Sequence, residues 1–205
     1  MEGEIINIMD KDNALKQIRD EIWDLNESPL YEYRTQNNYY PVLGEGNHDA
    51  KIMLVGEAPG RNEAKSGKPF CGAAGKILDQ LFESIGLVRA DAYVTNIVKD
   101  RPPENRDPTP EEIALYGPYL ERQIKIIQPL VICGLGRFSS QYVMNMFGIG
   151  DQMGVISTSH GKQFEAWADY GVVTVIPLYH PAASIYNRQL KDTLLHDFAA
   201  IKSLI

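Results

Sequence analysis

Ile52-Met53-Leu54-Val55 runs without a polar break into Gly56-Glu57-Ala58-Pro59-Gly60. A short apolar run that ends in a glycine-bounded turn reads as a strand buried on both faces, the pattern of a parallel sheet. Ala92 to Thr95, Leu130 to Cys133 and Val172 to Leu178 have the same form. Helical patterns separate them. Lys76 to Ile85 sets Ile77, Leu78, Leu81, Phe82 and Ile85 on one face. Thr109-Pro110-Glu111-Glu112 combines an N-cap threonine, a first-turn proline and a capping-box glutamate. Ile113, Tyr116, Leu120, Ile124 and Ile127 then recur at helical spacing. Asp12 to Leu25, Phe138 to Met146 and Leu190 to Ile205 complete the helices. Strands alternating with helices predict an α/β fold, a three-layer α/β/α sandwich around a central, mainly parallel four-stranded sheet.

The 205 residues predict one domain over residues 1–205, with residues 1–30 as an N-terminal helical segment. An apolar share of 44% and a charged share of 23% are ordinary for a globular chain. No apolar run approaches membrane-spanning length, and Met1-Glu2-Gly3-Glu4 is acidic rather than signal-like. Two cysteines, Cys71 and Cys133, argue against a disulfide framework and suit a reducing compartment. The expectation is a cytoplasmic monomer with no membrane partner. A net charge of −7 argues against a broad nucleic-acid footprint. Whole-chain charge does not locate the potential, however, and Lys65, Lys68, Lys99, Arg101, Arg106, Lys162 and Arg188 all stand in or beside loops, enough for a local basic rim.

In open α/β sheets ligands bind outside the carboxyl ends of the strands, and four segments border such ends. Gly56 to Gly60 lets a ligand approach the backbone closely, or is a plain strand-exit turn. Phe70, in Gly67-Lys68-Pro69-Phe70-Cys71-Gly72, is a stacking plate for a planar base or a core plug. Asn96, in Thr95-Asn96-Ile97-Val98-Lys99, is a turn cap or a reader. Its amide sets a donor beside an acceptor, which complements the carbonyl and ring N–H of uracil and mismatches cytosine. His180, in Tyr179-His180-Pro181, is held extended by the proline and is either satisfied locally or a donor to a departing base. No phosphate loop or nucleophile elbow occurs, and His48, His160 and His196 lack zinc-ligand spacing.

Long landmarks surround these segments: Gly44 to Gly60, Ser66 to Asp79, Tyr93 to Ile113 and Tyr179 to Ser184. In them the chain resembles the uracil-DNA glycosylase superfamily, most closely family four, the iron–sulfur type. The resemblance implies a monofunctional glycosylase that flips uracil out of DNA, hydrolyses its N-glycosidic bond and stabilises the leaving base, for repair of deaminated cytosine. It implies a first active-site motif of Gly56, Glu57, Ala58 and Gly60, with Glu57 organising the attacking water. Glu63 would stand near the five-position of the base, Phe70 would stack on it and Asn96 would read its edge. Asn105 would help place the water, and His180 would donate to the base carbonyl. Lys68, Lys99, Arg101, Arg106, Pro181 and Ala182 are the expected DNA contacts. Two alternatives stay open: a glycosylase for another modified pyrimidine of the phage type, and a non-catalytic DNA-binding relative.

The chain departs from the family pattern in several places. Ala182 stands for a usual serine, Ala64 for a frequent acid, His160-Gly161 for arginine-glycine, and Tyr186 lies near a common arginine. The positions of the four cluster cysteines correspond to Leu25, Ser28, Asp100 and Tyr116, so the expectation is no iron–sulfur cluster and no other metal.

Overall fold

A computed structural model describes residues 8–205; Met1-Glu2-Gly3-Glu4 and the start of the expected helical segment 1–30 lie outside the described residues. The chain begins with helices α1 (Ile8–Trp23) and α2 (Tyr31–Gln36), followed by strands β1 (Glu45–Gly46) and β2 (Ile52–Gly56). Helices α3 (Arg61–Ser66) and α4 (Ala73–Ser84) lead to β3 (Tyr93–Asn96), α5 (Pro110–Ile127), β4 (Val131–Leu135) and α6 (Arg137–Met146). A short α7 (Ile156–Ser159), the hairpin β5 (Phe164–Ala168) and β6 (Gly171–Leu178), and α8 (Arg188–Ile201) complete it.

The strands form one sheet in the order β1-β3-β2-β4-β6-β5. β3, β2, β4 and β6 are mutually parallel, the four strands expected from the sequence. Two antiparallel edges extend them, β1 against β3 and β5 against β6, so the sheet has six strands rather than four. The edges escape a search for apolar runs for physical reasons. β1 is two residues long, and β5 alternates, with Ala166 buried while Glu165 and Trp167 face solvent.

Alternation along the inner strands divides the core into two layers. Met53 and Val55 of β2 point toward α1, α5 and α6, packing with Ile18, Ile22, Leu120, Ile124 and Val143. Ile52 and Leu54 point the other way, toward α4 and α8, and meet Leu78, Leu81, Phe82, Leu194 and Phe198. The result is the three-layer sandwich. Helix α5 starts where its sequence signals: Thr109 Oγ1 accepts from Glu112 N–H at 3.2 Å while Glu112 Oε2 accepts from Thr109 N–H at 2.8 Å.

Register sets the functional edge. Gly56 pairs with Asn96 across β2 and β3, and Leu135 with Leu178 across β4 and β6. The exits that carry Glu57, Ile97, Gly136 and His180 therefore lie along one rim. Among the described residues no helix is long and apolar enough to cross a membrane.

Candidate active site

The floor of the site is the junction of β2 and β3. Beyond the last ladder pair, Ile97 N–H donates to Gly56 O and Val98 N–H to Glu57 O, both at 3.0 Å, so the two exits leave together. Gly56 is required here by space. A β-carbon on it would lie 2.2 Å from Asn96 Oδ1 and 2.8 Å from the Phe70 ring. The missing side chain thus lets the buried Asn96 amide and the Phe70 ring meet over the backbone. Ala58 packs on the core beside them, and Gly60 caps α3, where a β-carbon would crowd Glu63 Oε2 at 2.7 Å.

Phe70 adopts φ +48°, in the left-handed region, a conformation that costs on the order of 1–3 kcal/mol in a bulky residue. The surrounding residues impose it. Arg89 Nη1 donates to Phe70 O at 2.7 Å, its Nη2 to Gly75 O at 2.8 Å, and its Nε to Asp79 Oδ1 at 2.8 Å. Glu63 Oε1 accepts from Gly72 N–H at 3.0 Å, tying α3 to the far side of the same loop. One oxygen of Glu63, expected beside the base, is therefore committed to holding the loop that presents Phe70.

His180 stacks on Phe70, with ring centroids 5.8 Å apart and planes inclined by 29°. Ala182 N–H donates to His180 Nδ1 at 3.1 Å, which makes Nδ1 an acceptor and leaves the proton of the neutral ring on Nε2. Burial holds the imidazole below its ordinary pKa, against the opposing pull of Glu63. Gly136, at φ +95°, packs on the other side, where a β-carbon would approach His180 Cβ to 3.3 Å.

Glu57 is half-buried at the β2 exit. Burial, reinforced by Asp107, raises its pKa, and Arg137 opposes the rise. Asn105 sits on the exposed loop that also brings Asp107, with both Glu104 (φ +53°) and Asn105 (φ +54°) left-handed. Arg101 Nε donates to Asn105 Oδ1 at 2.7 Å, and its Nη1 to Tyr33 Oη at 2.9 Å and Tyr39 Oη at 3.2 Å.

The structure thus brings Gly56, Phe70, Asn96 and His180 together, with Glu57 and Glu63 at the margins. It does not gather the expected DNA contacts. Lys99 is wholly buried and Arg101 is 7% exposed, so neither reaches a phosphate; both expectations are corrected. Arg106 is held by Glu112 through two hydrogen bonds of 2.9 and 2.5 Å, and Pro181 is buried. Lys68 is exposed, 3.8 Å from Glu45, and Ala182 is exposed with its N–H turned to His180. Arg89, Gly75 and Gly136 were not singled out in the sequence. Their contacts to the Phe70 loop and His180 join elements far apart in the chain, which no local pattern reports.

A glycine-floored niche on the parallel-sheet rim thus joins an aromatic face, an amide and a neutral histidine, groups with the chemistry to stack on and hydrogen-bond a planar heterocycle. The comparisons agree. The profile of the uracil DNA glycosylase superfamily matches residues 43–200, and the chain belongs to that superfamily. The chain is 46% identical over 191 residues to a Type-4 uracil-DNA glycosylase of Archaeoglobus fulgidus, covering 93% of each protein. It is 43% identical over 193 residues to that of Sulfurisphaera tokodaii, covering 94% of this chain and 85% of the relative. To that of Thermotoga maritima it is 37% identical over 197 residues, covering 95% and 96%.

These relatives correct the expectation of a chain without a cofactor. They are named Type-4 uracil-DNA glycosylases, and family four is the iron–sulfur type, so the likeness points toward a cluster rather than away from it. The four positions assigned to cluster ligands do converge. Ser28 Oγ and Tyr116 Oη lie 2.8 Å apart, Tyr116 Oη donates to Asp100 Oδ2 at 2.6 Å, and Leu25 packs in the same core. Arg34 Nη1 pairs with Asp100 at 3.0 Å and also donates to Ile22 O at 3.0 Å. This set holds no thiolate and its oxygens are engaged with one another, so it does not fit a cysteine-ligated cluster.

Proposed function

We propose that this protein hydrolyses the N-glycosidic bond of uracil in DNA, acting on deaminated cytosine as one domain and as a cytoplasmic monomer. A base inside a duplex must first be turned out of the stack and received in a fitted pocket. In this reading the flipped pyrimidine lies on Phe70. The Asn96 amide accepts from the ring N–H and donates to the adjacent carbonyl, an order of groups that cytosine reverses.

Bond breaking leaves negative charge on the base and positive charge on the sugar. Neutral His180, with its proton on Nε2, donates a hydrogen bond to the uracil carbonyl oxygen as the N1–C1′ bond lengthens. Preorganised donors of this kind are worth about 3–4 kcal/mol where water is excluded. A water oxygen then bonds to C1′. Glu57, whose raised pKa brings it nearer the working pH, takes that water's proton, and Asn105 helps to hold the water. Glu57 gives its proton up to solvent and the uracil anion takes one from solvent, so the products are free uracil and an abasic sugar.

The observation that carries the reading is the Ala182 N–H bond to His180 Nδ1, because it fixes the donor on the nitrogen a departing anion needs. Base release from oligonucleotides bearing uracil, hydroxymethyluracil, hypoxanthine or modified cytosines, single- and double-stranded, tests it. Free uracil is expected; release from a modified cytosine alone, or binding with no release, contradicts it.

A further inference from the structure

Lys99 is the one charged side chain of the Asn96 segment, the proposed reaction leaves it without a task, and its surroundings are unusual. It is fully buried, a position that lysine seldom occupies without a carboxylate. Its ammonium donates to three neutral oxygens instead: Thr95 Oγ1 at 2.8 Å, Gln123 Oε1 at 2.6 Å and the backbone carbonyl of Asn96 at 2.5 Å. Those bonds use all three of its protons.

The partners are themselves held. Thr95 Oγ1 donates to Leu43 O at 2.6 Å. Gln123 Nε2 donates to Leu43 O at 2.9 Å and to Tyr93 Oη at 3.2 Å. Gln123 belongs to α5, so the network fastens the end of β3 to the helix layer behind it. Burial pushes the Lys99 pKa well below its ordinary value, yet the three acceptors are those an ammonium requires. A cation is kept here at a desolvation cost that an apolar residue would avoid.

From this geometry we infer that Lys99 is a positioning residue for base recognition, fixing the Asn96 backbone so that its side-chain amide meets the base edge in one orientation. Two restraints act on Asn96, one on its backbone and one on its side chain. Lys99 holds its carbonyl, while the bare backbone of Gly56 leaves room for its Oδ1. With the ammonium removed, the peptide at Asn96 can rotate and its amide samples orientations that do not match the base. The inference rests on the proposed reading of Asn96 as the edge reader.

A double-mutant cycle between Lys99→Met and Asn96→Ala, with kcat/KM for uracil release as the readout, separates the two ideas. Lys99→Met is expected to lower kcat/KM about tenfold with Asn96 present and by less than about twofold in the Asn96→Ala background, because coupled residues are non-additive. Lys99→Gln keeps one amide donor for the Asn96 carbonyl and should lose less; it also serves if the methionine variant does not fold. Thermal unfolding of every variant reports the purely structural effect. Equal losses in both backgrounds overturn the positioning role. An Asn96→Ala variant as active as the parent overturns the reading of Asn96 instead.

Discussion

His180 draws its chemical character from a single backbone donor. With Nδ1 occupied by Ala182 N–H, and with burial holding the ring neutral, Nε2 is a fixed hydrogen-bond donor. His180→Ala should therefore lower kcat by about 10²–10³, the scale of a lost preorganised donor, and change KM far less. A loss confined to KM speaks against a leaving-group role. Glu57 supplies a pH signature. In the proposed reaction its carboxylate form is the active one, and its pKa is raised above the usual 4.5, chiefly by burial and then by Asp107. Activity should accordingly fall with decreasing pH earlier than an ordinary glutamate would dictate, and Glu57→Gln should remove that acid limb from a much slower enzyme. A pH–rate profile of kcat/KM measures both.

At the scale of elements, what the sequence made legible followed from burial. The inner strands are covered on both faces and read as unbroken apolar runs. The α5 start could be read from Thr109 and Glu112 because capping is a local interaction. Thr109→Ala should cost about 1 kcal/mol in denaturant unfolding while leaving the relative rates on different bases unchanged. A shift in base preference would tie that helix start directly to the pocket. The burial of Lys99 and Arg101 is hidden from the sequence for an equally physical reason. A cation in a loop beside a site is normally solvated, whereas these two are covered by Gln123 from α5 and by Tyr33 and Tyr39 from the N-terminal region. Such pairings span 24 to 68 positions of chain and leave no trace in local spacing. One clue was present: Lys99 follows Ile97-Val98 inside a run that is buried from Ala92 to Pro102.

At the scale of the molecule, a chain of net charge −7 has lost two expected cations from its DNA face to the interior. Grip on the phosphate backbone then rests on few charges, and the logarithm of the binding constant should fall with the logarithm of salt with a shallow slope of about 2–3. Lys68→Ala should reduce that slope by about one. The three-layer architecture itself places the site. Four parallel strands deliver Gly56, Asn96, Gly136 and His180 to one rim, and two residues that flank β3 in the chain, Arg89 before it and Lys99 after it, bond the backbone carbonyls of Phe70 and Asn96.

The claim that this rim reads a pyrimidine through Asn96 is tested most directly by base release from matched uracil- and cytosine-containing oligonucleotides, comparing the parent protein with Asn96→Asp. The parent should release uracil alone. The aspartate variant, whose carboxylate accepts from the cytosine amino group, should gain cytosine release while its rate on uracil falls. Unchanged uracil selectivity in the Asn96→Asp protein would contradict the account.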